Sequence, residues 1–191
     1  MSKEHPDSAK IEGWVEVIVR DKDGKIKYYL GPRKISKEDL EDDPGLAPIL
    51  ASMPSKFQDY YWRKNIITNV GLAAIIRLVF SGLTETKFGY LAIGTGTTAE
   101  SATDTALVSE VKRKTATISQ TTTTVTGDTA LVSATFSKTD GLTGSQSICE
   151  AGIFNASTGG ILLARKTFSC VPLNWDAGDS ITINYYVQMS R

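Results

Sequence analysis

The sequence predicts a mainly β fold: an antiparallel β-sandwich with one packed α-helix and an N-terminal β-hairpin leading into an irregular arm. Three observations predict it. Composition breaks near residue 64: the first 64 residues hold 24 charged side chains, five of the six prolines and no threonine, whereas the remaining 127 hold 18 charged side chains and 22 threonines. Threonine suits strands, because its β-branch packs on a pleated surface while its hydroxyl tolerates a wet face. Beyond the break, short apolar/polar alternations are separated by Gly, Asp and Ser turns and joined by hairpin-length links, and only one segment has helical spacing. No period of 20 to 50 residues repeats, which sets aside solenoids and propellers.

Residues 1–64 read as a charged, proline-containing arm suited to docking. Within it Val15, Val17 and Val19 alternate with Glu16 and Arg20, Asp21-Lys-Asp-Gly24 supplies a turn, and Ile26, Tyr28 and Leu30 alternate on the way back, which is a β-hairpin. From 31 to 54 the chain carries Pro32, Pro44, Pro48, Pro54 and an acidic run at 38–43, so it reads as an irregular strap with a helical turn or two.

Residues 65–191 read as the Thr-rich sandwich, with a helix over about 69–81. Thr68 or Asn69 can cap that helix, Leu72, Ile75, Ile76, Val79 and Phe80 form one stripe, and Gly82 can close it. The stripe is expected to cover a face or end of the sandwich. A strand at 88–93, a Gly/Thr/Ser-rich loop to Asp104 and a short segment through Val111 follow. Residues 112–138 read as two strands turning near Gly127 and Asp128. Residues 147–154 and 161–168 pair across the turn at 157–160. The last strand alternates Ile181, Ile183, Tyr185, Val187 and Met189, all expected inward, with Thr182, Asn184, Tyr186 and Gln188.

Charge and composition narrow the function classes. Lys plus Arg equals Asp plus Glu at 21 each, so no net positive field gathers phosphates or an anionic membrane surface, and neither nucleic acid nor membrane is expected as a partner. The start MSKEHPDSAK lacks an apolar stretch, and the longest apolar run, 70–80, is broken by Arg77 and falls short of a span. Synthesis in the cytoplasm and a soluble product are the expectation. Cys149 and Cys170 lack a C-x-x-C spacing, and the hairpin register places Cys149 opposite Thr167 or Phe168, so they are expected as free buried thiols with no disulfide.

Several motifs touch on chemistry. Gly94-Thr-Gly-Thr-Thr-Ala99 matches a dinucleotide fingerprint, but no apolar helix follows it, and it reads instead as a turn closing the end of a sandwich. Asp21-x-Asp-Gly24 starts like a calcium loop without its remaining ligands, and reads as the hairpin turn. Asn155-Ala-Ser157 is a sequon inside a hairpin turn. The single histidine, His5, sits in the polar start, which argues against a His-based metal site or nucleophile pair. Only nine acidic residues follow residue 64, and Asp128, Asp140 and Asp179 adjoin glycines in turns. Of the rest, Glu150 has the most apolar neighbours, and it reads as an outward-facing carboxylate or a partner of Arg165 on the adjacent strand. No catalytic residue, metal site or cofactor is expected. The side chains that read as interface anchors are Trp14, Tyr28, Tyr29, Tyr60, Tyr61, Trp62 and Arg63, since Trp, Tyr and Arg bury large area and keep a polar tip.

The stretches 64–77 (KNIITNVGLAAIIR), 90–99 (YLAIGTGTTA) and 103–107 (TDTAL), continued by 148–154 (ICEAGIF), 160–165 (GILLAR) and 178–183 (GDSITI), resemble virion structural proteins of tailed phages. The resemblance spans most of 64–190 and implies a β-rich tail, neck or collar, fibre or capsid-surface component without catalytic residues, without deciding among those positions. It implies homo-oligomerisation, docking to other virion proteins and location in the virion. A capsid-decoration or head-surface protein, and a host-surface carbohydrate or receptor-binding module reading through the loops at 94–104 and 121–127, are the alternatives.

Overall fold

The computed structural model describes residues 10–31, 65–80 and 85–190. It is mainly β, with two antiparallel five-stranded sheets and one α-helix. In chain order the elements are β1 (Lys10–Arg20), β2 (Ile26–Leu30), β3 (Ile66–Ile67), α1 (Asn69–Phe80), β4 (Tyr90–Gly94), β5 (Glu110–Thr115), β6 (Thr117–Thr121), β7 (Thr129–Phe136), β8 (Ser145–Phe154), β9 (Leu162–Asn174) and β10 (Ser180–Ser190). One sheet runs β2-β1-β10-β7-β6 and the other β3-β9-β8-β4-β5.

Alternation builds the core. Register pairs Val15 with Tyr185, Val17 with Ile183 and Val19 with Ile181, and β10 in turn pairs Tyr185 with Val132, Ile183 with Ala134 and Ile181 with Phe136. These nine side chains lie on one face of the first sheet, and they are buried together with Leu91, Ile93, Ile148, Ile153 and Leu173 of the second. Tyr185 crosses the interior to donate a 2.6 Å hydrogen bond to the Ala151 carbonyl, so its hydroxyl is satisfied inside the core. Burial raises its pKa well above that of a free tyrosine.

Single residues and short 3₁₀ turns carry the chain between the sheets. Ala116 alone separates β5 in one sheet from β6 in the other, and its N–H donates to the Gly89 carbonyl at 2.9 Å. The turns Lys138–Asp140 and Trp175–Ala177 lead from β7 to β8 and from β9 to β10. Each ends on a left-handed glycine, Gly141 (φ 81°) and Gly178 (φ 88°), a conformation that costs a residue with a Cβ. As their place beside glycines suggests, aspartates serve these two turns and the turn between β6 and β7. Asp140 accepts from the Ser137 N–H, Asp179 from the Asn174 N–H, and Asp128 from the N–H groups of Thr123, Thr124 and Val125.

The hairpin forms as expected, with the Asp21 carboxylate accepting from the Asp23 and Lys25 N–H groups at 3.0 Å each. It is not an appendage. β1 is paired along its whole length with β10, from Lys10 opposite Ser190 to Arg20 opposite Ser180, and it supplies three core valines. The compositional break at residue 64 therefore does not separate this hairpin from the sandwich. The strap read at 31–54 falls, apart from Gly31, outside the described residues, as do His5 and Gly82.

Two further expectations are corrected. The inward face of β10 holds through Tyr185, but Val187 is only half-buried and Met189 is 55% exposed while Gln188 is buried. Gln188 donates to Asp128 Oδ2 at 2.8 Å and to Thr124 Oγ1 at 3.1 Å, so the turn at 122–128 covers it, and Met189 lies past the core. The cysteines are bonded, not free: Cys149 and Cys170 form a disulfide with their Cα atoms 4.1 Å apart. The cause is a bulge. Ile148 pairs with Val171 and Glu150 with Thr167, so one residue of β8 faces three of β9, and Cys170 comes beside Cys149.

Two measurements check this arrangement. Thiol titration of the unfolded, unreduced chain is expected to find no free thiol, and both cysteines only after reduction. A chain lacking residues 1–31 is expected to lose its cooperative thermal transition, because removing β1 strips three core valines, each worth about 1.5–3 kcal/mol of burial, and opens the edge of β10.

Candidate functional site

Among the described residues, the densest polar cluster lies on the outer face of the second sheet. Glu150 on β8 stands opposite Gly94 on β4 and Thr167 on β9, and its side chain has no exposure. Its Oε1 accepts from the Gly96 N–H (3.1 Å) and the Ser109 N–H (2.7 Å); its Oε2 accepts from the Val108 N–H (3.1 Å) and from Arg165 Nε (2.8 Å). Arg165, on β9 and equally buried, also donates to Asp104 Oδ2 at 2.9 Å and to the Thr98 carbonyl at 2.8 Å. Burial works to lower the pKa of Arg165, and the Asp104 and Glu150 carboxylates outweigh it and raise it above the ordinary value. Alongside, Glu100 pairs with Lys166 and accepts from the Thr167 N–H at 3.1 Å. Burial pushes the Glu100 carboxyl up, but those donors hold it below the usual carboxylate range.

This geometry explains the glycine motif. A Cβ on Gly94 would lie 2.6 Å, and one on Gly96 2.4 Å, from Glu150 Oε1. The loop after β4 must therefore be bare of side chains where it closes over the carboxylate. The Gly-Thr-Gly sequence cradles a carboxylate of its own chain, with the Thr98 and Ala99 carbonyls on Arg165. The pairing of Glu150 with Arg165 agrees with their adjacent-strand placement. Both side chains are sealed from solvent, so no substrate atom reaches either as a general acid or base.

The residues read as interface anchors fall into two groups. Trp14 and Tyr29 are buried, Tyr28 packs against the core, and the Tyr29 hydroxyl donates to Glu16 Oε1 at 2.7 Å. Tyr28 thus packs the hairpin onto the sandwich, and Tyr29 ties its two strands together. Tyr60, Tyr61, Trp62 and Arg63 lie outside the described residues. The sequon asparagine is occupied, its Nδ2 donating to Glu85 at 2.8 Å and its Oδ1 accepting from the Ile161 N–H at 2.6 Å.

Sequence reasoning missed the outward face of α1. Thr68 caps the helix, its Oγ1 accepting from the Gly71 N–H at 3.0 Å and donating to the Leu162 carbonyl. The helix packs on β9, but through its small residues: Gly71 and Ala74 are its buried positions, with Ile75 at the margin. A Cβ on Gly71 would meet the Leu163 backbone at 2.7 Å. Of the predicted stripe only Ile75 turns inward; the rest points away from the sandwich, with Leu72 41%, Ile76 57%, Val79 59% and Phe80 76% exposed, and Leu78, on the face of Gly71 and Ala74, is exposed as well. The spacing of Gly71 and Ala74 was the available signal, because a helix seats its smallest face where backbones approach most closely. Arg77, the helix's one charged residue, is tied to Glu85 at 3.0 Å.

A shallow groove of about 350 Å³ lies between Lys27, Ser147, Pro172 and Asp179, where Lys27 and Asp179 neutralise each other at 2.7 Å. Among the described residues, no three His, Cys, Asp or Glu side chains cluster to hold a metal ion. No described helix is long and apolar enough to cross a membrane. No family model, no curated protein and no solved structure matches the chain.

Two substitutions follow from these contacts. Glu150→Gln puts an NH₂ group against donors that need an acceptor and removes half the countercharge of Arg165, so it is expected to destabilise by about 3–5 kcal/mol, on the order of 10 °C in melting temperature. Asp179 gives a pH test. Burial pushes its carboxyl up, while the Asn174 N–H and the Lys27 ammonium outweigh this and lower its pKa. A lowered folded pKa contributes stability above the unfolded value of about 3.9, and that contribution is lost as pH falls through the folded pKa. Asp179→Asn is therefore expected to cost on the order of 1–2 kcal/mol at pH 7. The gap from the parent chain should narrow below pH about 4 in melts recorded across that range.

Proposed function

We propose that this chain is a non-catalytic structural component of a tailed-virus particle, acting in the tail, neck or fibre by associating with its own copies and docking on neighbouring virion proteins. One observation carries the reading: α1 holds Gly71 and Ala74 against the sandwich and leaves six large apolar side chains exposed, Leu72, Ile76, Val79 and Phe80 among them on its outward side. A stripe of that kind gains free energy only when another surface covers it, and exposed apolar patches of a few hundred Å² mark interaction sites. The zero net charge supports the same reading, since many copies can meet without mutual repulsion. Among the described residues, Glu150, Asp128, Asp140 and Asp179 are spent on internal contacts. The loop at 94–104, which a sugar-binding reading would use, is held inward by Glu150 and Arg165.

Gradient-purified particles of a tailed virus encoding this chain test the proposal by quantitative mass spectrometry. The chain is expected in the particles at a fixed ratio to the other tail or neck proteins and retained through a salt wash. Its recovery only in the soluble lysate would overturn the assignment.

A further inference from the structure

We infer that the exposed stripe of α1 binds a second copy of this chain, helix against helix, antiparallel about a two-fold axis passing Ile76. The inference rests on the assembly reading above and names the surface that association uses. Its first support is the symmetry of the stripe. Leu72 and Phe80 lie four residues on either side of Ile76, about 6 Å along the helix in each direction. An antiparallel pair centred on Ile76 therefore sets the Phe80 of each copy against the Leu72 of the other, a large ring against a smaller side chain. A two-fold interface must be self-complementary in this way, because one patch meets its own copy.

The second support is charge. The stripe carries none, and the helix's one charged residue, Arg77, lies off the stripe, half-buried and held by Glu85. Nothing on the face selects an acidic or a basic partner, and nothing repels an identical copy. The third support is area. Fractional exposures of 41%, 57%, 59% and 76% at Leu72, Ile76, Val79 and Phe80 amount to roughly 400–500 Å² of apolar surface per copy, within the range of functional patches. A pair would bury roughly 900 Å², short of the ~1,200 Å² at which permanent interfaces begin. The pair is thus a reversible, concentration-dependent dimer, the kind of contact that many copies in one particle reinforce by avidity.

The inward face of α1 permits this. Gly71 and Ala74 seat the helix on β9, so substitutions on the outward stripe leave the packing of the fold intact.

Sedimentation velocity of the full chain across roughly 1 µM to 1 mM, a window that spans weak to moderate affinities, should show a monomer–dimer equilibrium. Ile76→Lys places two ammonium groups at the axis and is expected to weaken dimerisation at least tenfold with an unchanged circular dichroism spectrum and melting temperature. Ile118→Lys, at an exposed position on β6, should leave the equilibrium unchanged. Oxidative cross-linking tests the register: the Ile76→Cys variant is expected to cross-link to its own copy, and the Leu72→Cys variant is not. A chain that stays monomeric throughout, or that dimerises with unchanged affinity in the Ile76→Lys variant, overturns the helix pairing. So does cross-linking at position 72 with none at 76. An Ile76-dependent dimer from a chain absent from particles would instead sink the virion reading and leave the pairing standing.

Discussion

The buried ion pair of Glu150 and Arg165 constrains everything around it. Two charges removed from water cost several kcal/mol each unless hydrogen bonds replace their hydration, and here three backbone N–H groups and two carbonyls complete the shell. Those backbone groups come from the loop between β4 and β5, so the pair dictates where that loop lies. It dictates the glycines at 94 and 96, and with them the outer surface of the second sheet. The interaction is one of organisation: it binds β4, β8, β9 and a long loop into a single unit whose charges are all answered from within the chain.

A second constraint is the close seat of α1. The first turn approaches β9 so nearly that only glycine fits at position 71, and the helix therefore cannot rotate to bury its larger residues. The outward stripe follows from that contact. The same glycine that fixes the helix leaves Leu72, Ile76 and Phe80 in water. Such a surface is a cost to an isolated molecule and an asset to one that is assembled in many copies.

How much of this was legible in the sequence depended on whether the determining contact was local. Val15, Val17 and Val19 announced a strand with a dry face, and Asp21 to Gly24 its turn, because alternation and turn chemistry act within a few residues. The same holds for the turn at 157–160 and for the aspartates beside glycines. What alternation does not carry is the identity of the neighbouring strand: β1 lies against β10, at the other end of the chain, and so a hairpin that looked like an arm is part of the core. The bulge at Cys149 was hidden for a related reason. A hairpin register counted outward from its turn is sound only until one strand gains residues, and β9 gains two before Cys170. Helical spacing found the stripe of α1 but not its direction, which Gly71 and the backbone of Leu163 decide. The glycine motif at 94–96 signals a turn on local grounds alone, because its partner Glu150 lies 54 residues away from Gly96.

The claim that this loop is built to hold a carboxylate of its own chain is tested most directly by amide hydrogen exchange at Gly96, Val108 and Ser109. If Glu150 holds those N–H groups, they exchange only through opening of the sandwich, as slowly as the central amides of β8, although they belong to no strand ladder. Exchange at the rate of a solvent-exposed loop, with β8 still protected, would contradict the account and return the glycine motif to the surface as a free loop.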